Sequence, residues 1–470
     1  MSGFRKEHAF AGRLVMLGFG CIGQGTLPLL LRHIEMRPDQ ILVIAPDEMA
    51  LALARKHGAQ TLAVRLEPSN LRDVLAPRLE PGDFLLNVSV DVSSTALMQL
   101  CREKQALYLD TCIEPWAGGY IDTALSPARR TNYALREAAL EMRSCGGPTA
   151  VLTHGANPGL VSHFVKQALL NIARDTGVVT ARPTTGEQWA GLAMQLNIRS
   201  IHIAERDTQV SAAHKAPGEF VNTWSVEALV DEGCQPAELG WGSHERHFPA
   251  DGARHAWGSK ASIYLHRPGA STRVRTWTPL AGPIHGFLIT HAEAISIADH
   301  LTVGDPDSPL YRPTVHYAYH PCNDAVLSLH ELAALNWRVQ PRHRVMKDEI
   351  VGGIDEVGVL LMGHARGAYW YGSQLSVEQA RELCPHNSAT SLQVTAAVMA
   401  GVVWAMKNPT RGVIEPDDMP FEEMLRLTRP YLGEVVGVYS DWTPLRGRSW
   451  LFEEDIDRDD AWQFKNFRVV

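Results

Sequence analysis

The chain has 470 residues, 45% apolar and 20% charged, a balance that excludes wholesale disorder and fibrous classes and fits two or three globular domains. Its 44 Lys and Arg against 52 Asp and Glu give a net charge of −8 with no basic block, which argues against nucleic-acid binding and for small neutral or cationic partners. The N-terminus has no apolar signal core, the apolar run 395–406 is too short to cross a bilayer, and the seven cysteines are widely spaced with no C-x-x-C, so a reduced, cytoplasmic protein without membrane contact is expected.

Residues 13–17 (RLVML) read as a buried strand, and 22–34 as the helix that follows it. Further strands are expected at 41–44, 61–64, 84–88 and 107–109, with helices through 49–54 and 94–103 between them. This β-α-β-α order, with continuous rather than alternating apolar strands, predicts a Rossmann-type, doubly wound parallel sheet covered on both faces. Residues 149–153 look like one more strand, ending in the turn His154-Gly155-Ala156-Asn157-Pro158-Gly159, and a helix over 160–174 follows. The rhythm then changes to strand-like runs at 200–205, 261–266 and 286–291. A hairpin is expected from strands 357–362 and 368–371, joined by the five-residue turn Gly363-His364-Ala365-Arg366-Gly367. The helical run 388–406 holds the apolar stretch, expected to be buried or to face a second subunit. The fold class is therefore α/β: an N-terminal nucleotide-binding domain over residues 1–154 and a larger α+β substrate and dimerisation domain over 155–470, whose C-terminal part packs back on the first.

Gly18-Phe19-Gly20-Cys21-Ile22-Gly23 is G-x-G-x-x-G, placed directly between the first strand and its helix. The first glycine permits the tight turn, the second lets backbone approach a pyrophosphate, and the third lets helix pack on strand, while free N–H groups at the helix start face the anion. In this context the motif predicts dinucleotide binding through Gly18, Gly20, Cys21, Ile22 and Gly23. Ala45 stands where an acid would normally end the second strand and hold the ribose; Asp47 is the candidate to reach it from a shifted loop. No Arg or Lys is there to pair with a 2′-phosphate, so NAD is favoured over NADP. Later strand ends point Ser89, Thr111, Asn157 and Pro158 at the same crevice, where the polar groups either touch ribose and nicotinamide or cap their own turns.

A second set of residues pairs carboxylates with aromatics. Asp91 and Glu114 follow strand ends of the first domain, Glu205 ends a later strand, and Trp224 precedes Glu232 by eight residues. If the strand at 286 continues, His291 and Glu293 share one face. Asp355 and Glu356 precede the hairpin. Each acid alone fits a surface pair, and Trp224 alone fits a core. Together they suit a diamine, which needs carboxylates for its two cations and a π face for cationic intermediates. His316 and His320 invite a zinc reading, but a strand sets them too far apart for one ion, Pro321 blocks a helix, and no second ligand pair has zinc spacing, so no metal is expected.

Five stretches carry a wider resemblance: 18–23, Asp110-Thr111-Cys112-Ile113-Glu114-Pro115-Trp116, the run 202–209 (HIAERDTQ), 236–242 (PAELGWG) and 317–324 (YAYHPCND). Through them the chain resembles the bacterial homospermidine synthase family over nearly its whole length, a family similar in architecture to saccharopine and carboxynorspermidine dehydrogenases. The resemblance implies an NAD-dependent aminobutyl transfer from putrescine or spermidine to putrescine through imines, with no net redox change, in a homodimer. It implies that Trp224 stabilises cationic imines, that Glu232, Glu205 and Glu114 anchor or deprotonate amines, that His291 or Glu293 assists proton transfer, and that Asn157 orients nicotinamide or amine. The rival readings are a carboxyspermidine- or saccharopine-type dehydrogenase, whose α-carboxylate substrates require Arg or Lys in the pocket, and a non-catalytic nucleotide-binding module.

Overall fold

The computed structural model describes residues 4–179 and 181–469, and the side chains of all of these except 144 and 145. Six strands of the N-terminal region, Leu14–Leu17 (β1), Ile41–Ala45 (β2), Gln60–Ala63 (β3), Phe84–Asn87 (β4), Leu107–Asp110 (β5) and Ala150–Val151 (β6), lie in the spatial order β6-β5-β4-β1-β2-β3. Every pairing is parallel. β1, β2 and β4 are buried at every position, because helices Cys21–His33 (α1), Glu48–Lys56 (α2) and Ser94–Lys104 (α3) join strands that need cover on both faces. The chain runs outward from β1 through β2 to β3, then returns to β4 on the other side. The crevice between β1 and β4 is the switch point where ligands bind in such sheets.

The second sheet has eleven strands: Ser200–Asp207 (β7), Pro236–Gly240 (β8), Gly252–Arg254 (β9), Ser262–Pro268 (β10), Arg273–Thr278 (β11), Gly282–Phe287 (β12), Thr314–His320 (β13), Ile354–His364 (β14), Gly367–Ser376 (β15), Glu434–Ser440 (β16) and Arg468–Val469 (β17). Its main path is β9-β10-β8-β13-β7-β14-β15-β16, with β12 on β13 and β11 between β12 and β17. All pairings are antiparallel except β7 with β13, which run parallel in the middle. Helices Leu160–Asp175 (α4), Val226–Cys234 (α5) and Ala292–His300 (α6) accompany it.

Three expectations change here. His364 pairs with Gly367, so the hairpin turn is only Ala365-Arg366 rather than five residues. β14 starts at Ile354, which puts Asp355 and Glu356 inside the strand instead of before it. The strand at 286 stops at Phe287; His291 is the residue before α6 and Glu293 lies in its first turn, where an acid favours the helix N-terminus. They therefore do not share a strand face.

The chain finally returns to the first sheet. Helix Ala389–Lys407 (α7) buries Leu392, Val398 and Val403 in one core with Leu14, Phe19 and Leu30. Val413–Ile414 then adds a seventh, parallel strand beside β6. At 19 residues α7 is longer than its apolar run and would cross a membrane by length and composition, yet 94% of its apolar window is buried inside the protein, as in a core helix.

Candidate active site

The glycine turn shows the three uses its spacing predicts. Gly18 has φ +85°, and a Cβ there would stand 2.6 Å from the Val88 carbonyl and 2.7 Å from the Ser89 nitrogen, so the turn after β1 lies against the end of β4. A Cβ on Gly23 would meet the Gly18 carbonyl at 2.7 Å, where α1 packs on its own turn. A Cβ on Gly20 would meet no protein atom within 4 Å. That open side, facing the start of α1, fits a pyrophosphate brought up to bare backbone. Asp47, two residues past the end of β2, is exposed, and its Oδ1 accepts the Met49 N–H at 2.9 Å to cap α2.

Beyond the turn, between the two sheets, lies a cavity of about 110 Å³. Ile22, Ser89, Thr111, Asn157 and Pro158 line its first-sheet side; Glu114, Glu205, Trp224, Glu232, His291 and Tyr317 line the rest, and Thr390 and Val394 of α7 close it. Many of the candidates, from Ile22 to His291, thus meet in one place. Two others do not line it. Glu293 stands directly behind His291, and Asp91, half-buried, joins Asp231 in a cluster of acids close enough to raise each other's pKa.

Glu205, 2% exposed on β7, accepts from the Asn157 side-chain N–H at 2.6 Å and from the Tyr317 hydroxyl at 2.7 Å. Burial pushes its carboxyl up to about 8, against the pull of those two donors. The turn that delivers Asn157 is tied down in turn: Asp110, at the end of β5, accepts the Thr153 N–H at 2.6 Å and the Tyr108 hydroxyl at 2.8 Å.

His291 is held between two carboxylates, Nε2 3.1 Å from Glu232 and Nδ1 3.1 Å from Glu293. Burial opposes a charge on the ring, but Glu293 and Glu232 outweigh it and hold its pKa well above the usual value. The ring is therefore an imidazolium at neutral pH, a proton carrier with an acceptor on each side. Glu114 is buried with one carboxylate oxygen unpartnered; burial, then Asp231 and Glu232, push its pKa far up. Asp231 on α5 is pushed up to about 7 by burial and by Asp91, Glu232 and Glu227. The cavity therefore has a strong demand for positive charge, since crowded acids are stabilised in their charged form only by cations. Among the described residues that line it there is no Lys or Arg.

Trp224 follows β7 in the chain and precedes α5, whose first turn Ser225 caps at the Ala228 N–H. Its indole N–H donates to the Tyr319 hydroxyl at 3.1 Å, and Tyr319 stacks on Tyr317 with centroids 5.1 Å apart. Tyr317 and Tyr319 were not among the expected site residues. The signal was present: Tyr-Ala-Tyr puts both rings on one face of β13, in register with β7, where Tyr319 lies opposite Glu205. Thr390 and Val394 left no local signal, because only the return of α7 brings them there.

Residues 14–151 match the family described as Saccharopine dehydrogenase NADP binding domain, and 155–439 match Saccharopine dehydrogenase C-terminal domain. The chain is 54% identical to homospermidine synthase of Blastochloris viridis over 475 aligned positions, covering 100% of both chains. It is 50% identical to homospermidine synthase of Mesorhizobium japonicum, covering 97% of this chain and 96% of that one. A solved homospermidine synthase from Legionella pneumophila, in complex with NAD, superposes with a TM-score of 0.92 at 48% identity over 98% of each chain. The chain that builds this cavity of carboxylates and Trp224 beside a glycine turn thus belongs, at these identities over its full length, to the homospermidine synthase family.

Proposed function

We propose that this protein joins two polyamines: putrescine, with loss of ammonia, or spermidine in its place, with loss of 1,3-diaminopropane, gives a 4-aminobutyl group to a second putrescine. The observation that carries this reading is the cavity that starts at Ile22 of the glycine turn, rich in acids, with Trp224 on its wall and without Lys or Arg among its described lining. A saccharopine-type substrate would bring an α-carboxylate into that cavity with no Lys or Arg among its described lining to meet it, and with the His291 imidazolium already held between Glu232 and Glu293. When bound at the glycine turn, NAD supplies the hydride acceptor and later the hydride donor, so the exchange is redox-neutral.

The chain's own groups perform the proton work. An alkylammonium cannot release a hydride from its α-carbon until it loses a proton, and Glu205, with a pKa near 8, is a far better matched acceptor than an ordinary carboxylate. Asn157 and Tyr317 both donate to Oε2 of Glu205 and so fix the carboxyl for that transfer. Glu232 and Glu114 hold the distal ammonium groups. The substrate iminium lies against Trp224, whose ring is worth roughly 0.5–2 kcal/mol to a desolvated cation. His291, between Glu232 and Glu293, hands a proton to the departing amine and recovers one from the attacking amine. The buried walls keep bulk water from the imine, which would otherwise be lost as an aminoaldehyde.

The activity belongs in the cytoplasm and in a homodimer. Support for the first comes from the six described cysteines, all free thiols. For the second it is the exposed triplet Trp450, Leu451 and Phe452, an apolar patch that a second copy would cover. Light scattering in solution tests the dimer. The decisive assay incubates purified protein with putrescine and NAD. The reading requires a triamine and ammonia without accumulating NADH. Stoichiometric NADH would identify a dehydrogenase, and no turnover on any amine a binding module.

A further inference from the structure

A second cavity, of about 430 Å³, opens away from the catalytic one, between β9, β10 and the hairpin formed by Val303–Asp305 and Ser308–Tyr311. Its floor holds Arg312, only 4% exposed. Three of the five guanidinium N–H groups are used, donating to the Thr302 hydroxyl at 2.8 Å and to the carbonyls of Lys260 at 3.1 Å and Pro306 at 3.3 Å. All three acceptors are neutral, and among the described residues no carboxylate pairs with this arginine. A buried guanidinium is ordinarily found with a counter-charge.

Arg254 lines the same cavity, its guanidinium 4.7 Å from the Phe248 ring centroid, and it too has no carboxylate partner among the described residues. Burial brings the Arg312 pKa below its usual value; the charge of Asp299 pulls it back up, and Arg254, near enough to be felt, pushes it down by less. The acids on the wall do not cancel them. Asp307 is taken up by Lys260. Glu245 accepts from the Thr314 hydroxyl and the Phe464 N–H, and burial pushes it up to about 7. Two further lining groups, each more than nine-tenths buried, lack a hydrogen-bond partner: the Ser262 hydroxyl and Nδ1 of His255.

Two cations without a direct carboxylate partner among the described residues, and two unpartnered polar groups, around one open cavity describe a site made for a negative ligand. We propose that this cavity binds a small organic anion through a carboxylate or phosphoryl group, whose oxygens accept from Arg254, the free N–H groups of Arg312 and the Ser262 hydroxyl. The site is separate from the glycine turn and from the diamine cavity, and nothing in the proposed reaction uses it.

Calorimetric titration tests it, in NAD-saturated protein at low ionic strength, so that the glycine turn is already filled. Inorganic phosphate and succinate are titrated separately, which distinguishes phosphoryl from carboxylate recognition. Saturable one-site binding of at least one anion is expected, weakened tenfold or more by Arg254→Ala, an exposed position whose loss leaves the fold intact, and weakened likewise by Ser262→Ala. Failure of both anions to bind saturably, or equal affinity in wild type and Arg254→Ala, overturns the proposal.

Discussion

Asn157, on the turn that ends the first sheet, donates its side-chain N–H to Glu205, on a central strand of the second, at 2.6 Å. This single bond joins the nucleotide crevice to the carboxyl that is best placed to take a proton. Asn157→Ala should therefore lower kcat about tenfold or more with diamine while leaving NAD affinity within a factor of two or so, because it removes one of two donors that orient Glu205. Steady-state rates with fluorescence titration of NAD check it; a loss confined to NAD binding would move Asn157 to the cofactor.

Glu205→Gln keeps the shape and the hydrogen bonds but removes the base. Loss of a positioned general base costs on the order of 10²–10⁴-fold in rate. The expected result is a kcat reduced to that extent with an unchanged melting temperature at pH 6, where the wild-type carboxyl is itself uncharged.

The rate should also depend on pH through the same group. Glu205 must be a carboxylate to accept a proton, and burial holds its pKa at about 8, so kcat should rise as pH passes upward through that region and fall below it. The sign for stability is the opposite. A carboxyl whose folded pKa is raised contributes most at low pH and loses that contribution as pH rises through its folded value. Glu205→Gln should thus be relatively more stable than wild type at pH 9 than at pH 6, measurable by thermal melts at both.

Trp224→Ala should cut turnover strongly, by about tenfold or more, because an exposed-to-desolvated cation–π contact of roughly 0.5–2 kcal/mol is lost together with the enclosure the ring gives. Trp224→Phe keeps a π face and should recover part of the rate, although it loses the bond to Tyr319. Wild-type turnover in the alanine variant would remove Trp224 from the mechanism.

Glu232→Gln takes away one of the two carboxylates that keep His291 charged. The imidazole pKa should fall, visible by NMR titration of the ring protons, and KM for putrescine should rise by about tenfold, the scale of one lost ionic contact.

The two glycines of the turn separate folding from binding. Gly18→Ala forces a side chain into φ +85° and within 2.7 Å of backbone on β4, so it should lower the melting temperature by several degrees, the left-handed conformation alone costing about 1–2 kcal/mol. Gly20→Ala meets no protein atom and should melt like wild type, yet its methyl stands where the pyrophosphate approaches, so NAD binding should weaken by about tenfold or more.

The parts of the molecule that local chemistry determines were legible in the chain itself. The parallel strands declared themselves as continuous apolar runs because both their faces are covered, and the glycine spacing declared the turn because each position has a separate steric reason. His291 and Glu293 were matched correctly as neighbours but on the wrong element: alternation in 286–291 looks like a strand, whereas the strand ends at Phe287 and the pair sits at a helix start. Tyr317 and Tyr319 were seen as a strand face but not as partners of Glu205 and Trp224, since that depends on which strand lies next to β13. Thr390 and Val394 were beyond reach, because a residue's place in a cavity formed by a distant return of the chain has no signature in its own neighbourhood.

The strand Val413–Ile414, with α7 before it, has a consequence for how the protein is made. A ribosome releases the first six strands of the nucleotide sheet long before the piece that completes its edge and covers its core exists. Until more than 400 residues have emerged, the growing polypeptide exposes an open sheet border and the apolar bed that α7 will fill, a period in which chaperones would bind it. Expressing the nucleotide half on its own, cut near residue 154, should consequently yield insoluble material, which supplying 385–440 as a separate peptide during refolding should partly rescue.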